Sequence, residues 1–249
     1  MIEIKELTKN YGSKSVINNL NLTLESGWIY SLLGKNGAGK TTTIHLILDL
    51  LKADSGSILI NGKENTKLTS DDKTHIGVLG EDLALIEELS GSEFLSFIGK
   101  IYKMSPAVLT KRIDDLSNYF FEDKDDLKKN TGKYSTGMKK KIAFCAAVLH
   151  TPDILILDEP FSGLDPFAAN QMVSFLQRYA REGRLLFISS HDLNYVEKIS
   201  THIGVLDGGG LVFNSTIKDF TENGADNLDS ALLKLLKPNN AELDKMDWI

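Results

Sequence analysis

Cysteine is almost missing from the chain: Cys145 is the only one in 249 residues. No internal disulfide can form, and a reducing, cytosolic compartment is the default. Long hydrophobic runs are missing too. The longest purely apolar stretch, residues 142–149, falls far short of the roughly 20 residues that a membrane helix needs. The opening MIEIKELTKN lacks the apolar core of a secretory signal, so the chain is expected to be cytoplasmic and to reach a membrane only through partner chains. There is no basic excess. Lys and Arg number 28 against 34 Asp and Glu, a formal net charge of −6, which speaks against a protein that coats nucleic acid. Repeats and low-complexity segments are absent, so every motif occurs in one copy. With 42% hydrophobic and 25% charged residues, the chain is an ordinary globular one, long enough for one large domain or two small ones.

Ile2 and Ile4 alternate with Glu3 and Lys5, and Leu20, Leu22 and Leu24 alternate with polar residues. Both patterns predict half-buried antiparallel strands. The run WIYSLL at 28–33 is nearly continuous in apolar character, as a strand covered on both faces requires. It leads into a glycine-rich stretch at 34–39 and a helical pattern over 40–51. ILIL at 154–157 and LLFI at 185–188 follow the same rule, each with a loop and a helical stretch behind it. Such alternation predicts an α/β fold with a mainly parallel sheet plus N-terminal antiparallel strands. From 90 to 129 the strand signal gives out. Phe94, Leu95, Phe97, Ile98 and Ile101 recur at helical spacing, as do Leu109, Ile113, Leu116 and Phe120, before the charged FEDKDDLKKN. Residues 90–150 therefore read as a helical subdomain inserted between core segments 1–89 and 151–215. Residues 216–249, beyond an expected turn at Asp207-Gly208-Gly209-Gly210, read as a helical tail with its helix over 230–237.

The stretch Gly34-Lys35-Asn36-Gly37-Ala38-Gly39-Lys40-Thr41 fits the phosphate-binding pattern of Gly, four residues, Gly, Lys, Ser or Thr. Glycines let successive N–H groups turn toward phosphate oxygens, and a helix starting near Lys40 adds its positive end. The Lys40 ammonium can reach the β- and γ-phosphates, and the Thr41 hydroxyl can coordinate Mg²⁺. A glycine turn with a surface lysine is the bland reading; the position between a buried strand and a helix argues against it. Asp158-Glu159 ends the apolar strand at 154–157, where ligands of open α/β sheets sit. Asp158 would hold Mg²⁺ directly or through water, leaving Glu159 to orient or deprotonate an attacking water. An acidic pair in solvent is the alternative.

With these motifs in hand, residues 1 to about 215 resemble the ATP-binding subunit of an ABC transporter. The resemblance narrows on Tyr134-Ser135-Thr136-Gly137-Met138, similar to the family's signature sequence, on Ser162-Gly163-Leu164-Asp165, similar to its D-loop, and on Ser190-His191-Asp192, similar to its switch-histidine segment. It implies an ABC-type P-loop ATPase core that binds ATP and Mg²⁺. It also implies an aromatic, Tyr11, stacked on adenine, and a loop from Gly34 through Thr42 around the phosphates. Ser135 and Gly137 would contact the γ-phosphate held by a second subunit. His191 would touch the γ-phosphate and the attacking water, and Asp165 would face the partner. One motif set per chain implies two chains, and separately encoded membrane-spanning subunits beside them.

Departures from the family pattern bear on transport. The segment 76–81 aligns with the Q-loop, where most members have glutamine and this chain has Glu81. That resembles a minority branch of bacterial exporters that includes lantibiotic-immunity transporters, and assigns Glu81 to Mg²⁺ or the attacking water. Ser-Thr-Gly-Met in the signature is likewise exporter-like. The expectation is an ATP-hydrolysing subunit that dimerises around two ATP and drives efflux. The alternatives are a soluble ABC-type ATPase acting on ribosomes or DNA, and a nucleotide sensor that no longer hydrolyses. Three further features read as structural: His45 as a packed helix residue, Cys145 as a small core residue, and Lys139-Lys140-Lys141 as a solvated face or electrostatic help for a triphosphate.

Overall fold

The computed structural model describes residues 1–181 and 183–236. Chain order begins with β1 (Ile2–Tyr11), β2 (Lys14–Leu24), β3 (Ile29–Leu33), α1 (Lys40–Ile47), β4 (Ser55–Ile60), β5 (Lys63–Glu64), α2 (Ser70–Lys73) and β6 (Ile76–Leu79). Helices α3 (Gly91–Ile101), α4 (Pro106–Phe120) and α5 (Thr136–Val148) follow. The remainder is β7 (Ile154–Asp158), α6 (Pro166–Ala180), β8 (Leu185–Ser189), α7 (Leu193–Ile199), β9 (His202–Asp207), β10 (Gly210–Thr216), α8 (Ile217–Phe220) and α9 (Leu228–Leu236).

An antiparallel sheet runs β2-β1-β4-β5, and a larger one runs β10-β9-β3-β8-β7-β6. In the larger sheet β9, β3, β8, β7 and β6 are mutually parallel, and β10 closes one edge antiparallel to β9. Every residue of β3, β7 and β8 is buried, because this sheet is covered on both faces. β7 sends Leu155 and Leu157 into a core shared with α3–α6. It sends Ile154 and Ile156 into a second core shared with α1 and the antiparallel sheet. A third, smaller core joins Val196 of α7, Phe220 of α8 and Leu228 of α9.

Local rules explain the boundaries. Gly208 and Gly209 both have positive φ, 55° and 81°, which is the two-residue turn that joins β9 to β10 where the turn was expected. Ser90 caps α3 reciprocally with Glu93, and Ser135 caps α5 through the Met138 N–H at 3.2 Å. α1 is shorter than the pattern over 40–51 implied. It ends at Ile47, and Asp49 takes a left-handed φ of 55°, a reversal that aspartate tolerates without a glycine to announce it. The tail helix starts at Leu228, ahead of the expected 230, and the expected end at Lys237 lies outside the described residues. β4, β6, β9 and β10 went unseen in the sequence because they are short or carry polar and glycine residues. Among the described residues, no helix is long and apolar enough to cross a membrane.

His150 ties the end of the helical layer to β6. Its ring stacks on Tyr102, centroids 3.6 Å apart with 5° between planes, and its Nε2 lies 3.3 Å from the Ile76 carbonyl. Burial pushes the imidazole pKa down to about 4; the Ile76 carbonyl opposes the shift, and the Arg112 and His75 charges add to it. The unfolded chain, near 6.5, takes up the proton first, so this contribution is complete above pH 6.5 and is lost as pH falls through 4. Partial exposure of the ring limits the effect to about 1–2 kcal/mol. Urea unfolding at pH 7 and pH 4.5 should show the wild type losing that much more stability than His150→Gln. Parallel losses would mean the ring is protonated in the folded state.

Candidate active site

Parallel pairing gathers the functional residues at one edge of the large sheet. Gly34 follows β3, Glu81 follows β6, Asp158 ends β7 and His191 follows β8. The C-terminal ends of these strands all point to the same side. A cleft of about 660 Å³ opens there.

The floor of the cleft is the glycine loop. Gly34 and Gly39 have φ of 155° and 109°, and a Cβ on either would meet backbone: Leu206 O at 2.5 Å, Val16 O at 2.9 Å. Beyond Gly39, α1 begins with no side-chain cap and no acidic residue in its first turn. Its first N–H groups are therefore left for an anion. Lys40 is buried and folds back over the loop, donating to Gly34 O at 2.9 Å and to Lys35 O at 3.4 Å. Asn36, Gly37, Gly39, Lys40, Thr41 and Thr42 line the cleft, whereas Gly34 and Ala38 support it from beneath. The Ala38 N–H bonds Lys35 O at 3.1 Å.

Of the acidic pair at the end of β7, Glu159 lines the cleft and Asp158 does not. Asp158 is buried and accepts a hydrogen bond from the Ser189 hydroxyl. Glu159 lies in the left-handed region at φ 48°, with its N–H on Ser189 O at 3.1 Å. Its carboxylate meets His191 Nδ1 at 2.9 Å. Of the two readings open for the lysine run, the solvated face does not hold for Lys140, which is 5% exposed and lines this cleft. The reason is tertiary: α5 lies against the sheet, and this turn of it faces the end of β7. Burial lowers the Lys140 pKa, and the charges of Asp158, Glu159 and Glu81 work against that shift.

Tyr11, at the end of β1, is 52% exposed on the cleft wall, beside Lys14 and Val16. Glu81 lines the same cleft, while Asp82 lines only an adjoining groove. Ser135, Gly137 and Asp165 do not line it. Ser135 caps α5. Gly137 packs so closely on the 162–165 turn that a Cβ would sit 3.2 Å from Gly163 O. Asp165 caps α6, and the N–H groups of Ala168 and Phe167 hold its carboxyl below the usual carboxylate range. His45, expected to be packed, is exposed and lines the adjoining groove. Sequence reasoning assigned no cleft role to Lys14, Val16, Leu83, Thr136 or Ser162, all of which line it. Thr136 and Ser162 carried a signal, since they lie within the signature-like and D-loop-like stretches.

Thr41, Asp158 and Glu81 offer a hydroxyl and two carboxylates, an all-oxygen set that suits Mg²⁺ rather than a softer metal. Among the described residues, no three His, Cys, Asp or Glu side chains cluster as a metal site. A magnesium ion held here would take further oxygens from a bound phosphate, as this ion usually does.

Residues 17–162 match the family described as ABC transporter. The ABC transporter ATP-binding protein NatA of Bacillus subtilis is 30% identical over 228 residues, 90% of this chain and 92% of that protein. The bacitracin transport ATP-binding protein BcrA of Bacillus licheniformis is 36% identical over 213 residues, 85% of this chain and 68% of that protein. A solved ATP-binding subunit of an ABC transporter superposes with a TM-score of 0.87 at 28% identity, covering 95% of this chain and 100% of that one.

The loop geometry makes a sharp demand of Gly39. In Gly39→Ala the new methyl would press on Val16 O and the Ile17 side chain, moving the N–H groups that face the cleft. ATP affinity, read by titration with a fluorescent analogue, should fall at least about tenfold. Wild-type affinity would show that the loop does not bind through this backbone.

Proposed function

We propose, from the premise that the chain belongs to the ABC transporter family as an ATP-binding and ATP-hydrolysing subunit, that two copies close around two ATP beneath separately encoded membrane proteins and drive efflux. The separation of the motifs carries this reading. The phosphate loop, Glu159 and His191 share one cleft, while Ser135, Gly137 and Asp165 lie beside it, on a surface where α5 meets the 162–165 turn. Two chains facing head to tail would bring the second surface of each over the cleft of the other.

In the cleft, loop N–H groups and the uncapped start of α1 would surround the triphosphate. Lys40 would exchange its loop carbonyls for phosphate oxygens, and Tyr11 would stack on adenine. Thr41, Asp158 and Glu81 would hold Mg²⁺, which supplies charge neutralisation across the phosphates. Glu159 takes the proton of the attacking water while His191 orients that water against the γ-phosphate.

Coupling to a membrane partner is supported by the adjoining groove of about 480 Å³, which shares Thr41, Glu81 and Leu83 with the cleft. Leu50 and Val78 on its wall are 71% and 39% exposed. A partner seated there would bear directly on the Glu81 segment, and through it the subunit would be held at the inner face of the cell membrane. The exporter-like signature, Glu81 and the likeness to a bacitracin transport protein support efflux. A net charge of −6 gives no support to a soluble ATPase acting on ribosomes or DNA.

Glu159→Gln should still bind ATP but turn it over at least about 10²-fold more slowly. Gel filtration with ATP should then convert that variant from monomer to dimer. Near-normal turnover would move the base elsewhere, to His191 first. For Glu81, an amide removes one negative charge near the ion, a pair worth on the order of 4 kcal/mol at 4 Å before desolvation. Surface access and the competing γ-phosphate charge leave about 1 kcal/mol of that, so Glu81→Gln should raise the Mg²⁺ needed for half-maximal ATPase activity several-fold, with Asp82→Asn unchanged. The reverse pattern would put the contact at Asp82.

A further inference from the structure

The nucleotide reading offers Lys140 general electrostatic help for a triphosphate and no specific partner. Lysine is seldom buried unless its charge is met, yet Lys140 is 5% exposed. Its Nζ donates to the main-chain carbonyl of Glu159 at 3.1 Å, and that carbonyl also accepts a longer bond, 3.3 Å, from the Ser162 N–H. Glu159 needs holding on this side. Its φ of 48° is a conformation that residues with side chains rarely adopt. The peptide before it is already tied to β8, its N–H reaching Ser189 O at 3.1 Å and Ser189 Oγ at 3.3 Å. Lys140 supplies the charged donor on the peptide after it, so the residue is fixed from both ends while its carboxylate turns into the cleft.

We propose that Lys140 is a positioning residue for ATP hydrolysis: its hydrogen bond to the Glu159 carbonyl fixes the left-handed backbone from which the Glu159 carboxylate acts. This rests on the reading of Glu159 as the base. It also gives α5 two duties. The helix that Ser135 caps at its N-terminus, and offers to the other subunit, holds the base of its own site little more than one turn later.

The test is steady-state ATP hydrolysis by the purified full chain, with ATP affinity measured separately by a fluorescent analogue. Lys140→Met keeps the length of the side chain but neither donor nor charge; Lys140→Gln keeps a donor without the charge. Lys140→Met should lower kcat about tenfold or more, as misplacement of a catalytic group does, with ATP affinity within about twofold of wild type. Lys140→Gln should recover most of kcat. Adding Lys140→Met to Glu159→Gln should cost nothing further, because both changes act on one group. Wild-type kcat in Lys140→Met, a Gln variant as slow as the Met variant, or additive losses in the double variant would each overturn the proposal. If Glu159→Gln itself kept wild-type turnover, the base assignment would fall and the proposal with it. If that variant were slow while Lys140→Met was normal, only the role of Lys140 would fall.

Discussion

Parallel pairing of strands that are buried on both faces is the constraint from which the rest of the molecule follows. A parallel strand cannot be joined to the next by a tight turn. β3, β7 and β8 therefore run out at the same edge, and β7 and β8 reach the next strand of the sheet through α6 and α7. The candidate site residues sit where the chain leaves that edge: the glycine loop, Glu81, the Asp158-Glu159 pair and His191. Since no residue of β3, β7 or β8 is exposed, the strands cannot slip by one residue without turning a loop residue into the core. The cleft inherits its rigidity from the sheet.

Against that scaffold the cleft residues are held by backbone more than by each other. Gly34 and Gly39 leave no room for a Cβ, and Glu159 sits in a left-handed conformation bonded to β8 on one side and to Lys140 on the other. Lys40 donates to the carbonyls of Gly34 and Lys35 and so braces the loop from within. On the proposed reading, the closely packed glycine loop and the open α1 N-terminus would leave little backbone rearrangement for phosphate binding to drive, the Lys40 side chain excepted.

The second surface obeys a different rule. Ser135 and Asp165 both spend their side chains on helix caps, and Gly137 is pressed onto Gly163. These residues are ordered by local structure and need no ligand for their placement. In the proposed dimer, a surface preorganised in this way would need little further ordering to close. α5 belongs to both arrangements, through Ser135 at its end and Lys140 in its second turn.

Much of this was legible in the residues alone. Continuous apolar runs identified the doubly covered strands, because only burial on both faces removes the alternation. The glycine spacing pointed to a loop of unusual backbone, and Gly34, Gly37 and Gly39 all take positive φ. Motif order pointed to the family, since five short patterns in one order leave little to chance. Tertiary structure decided what patterns of this length cannot hold. Asp49 ended α1 without a glycine, and β4, β6, β9 and β10 took their conformation from strand neighbours rather than from their own composition. His45 faced outward, against the expectation of a packed residue, and Lys140 faced inward, against the solvated face that was one of its two readings. Which way a helix turns its faces depends on what packs beside it, and Lys140 is buried only because the end of β7 arrives next to α5 from elsewhere in the chain.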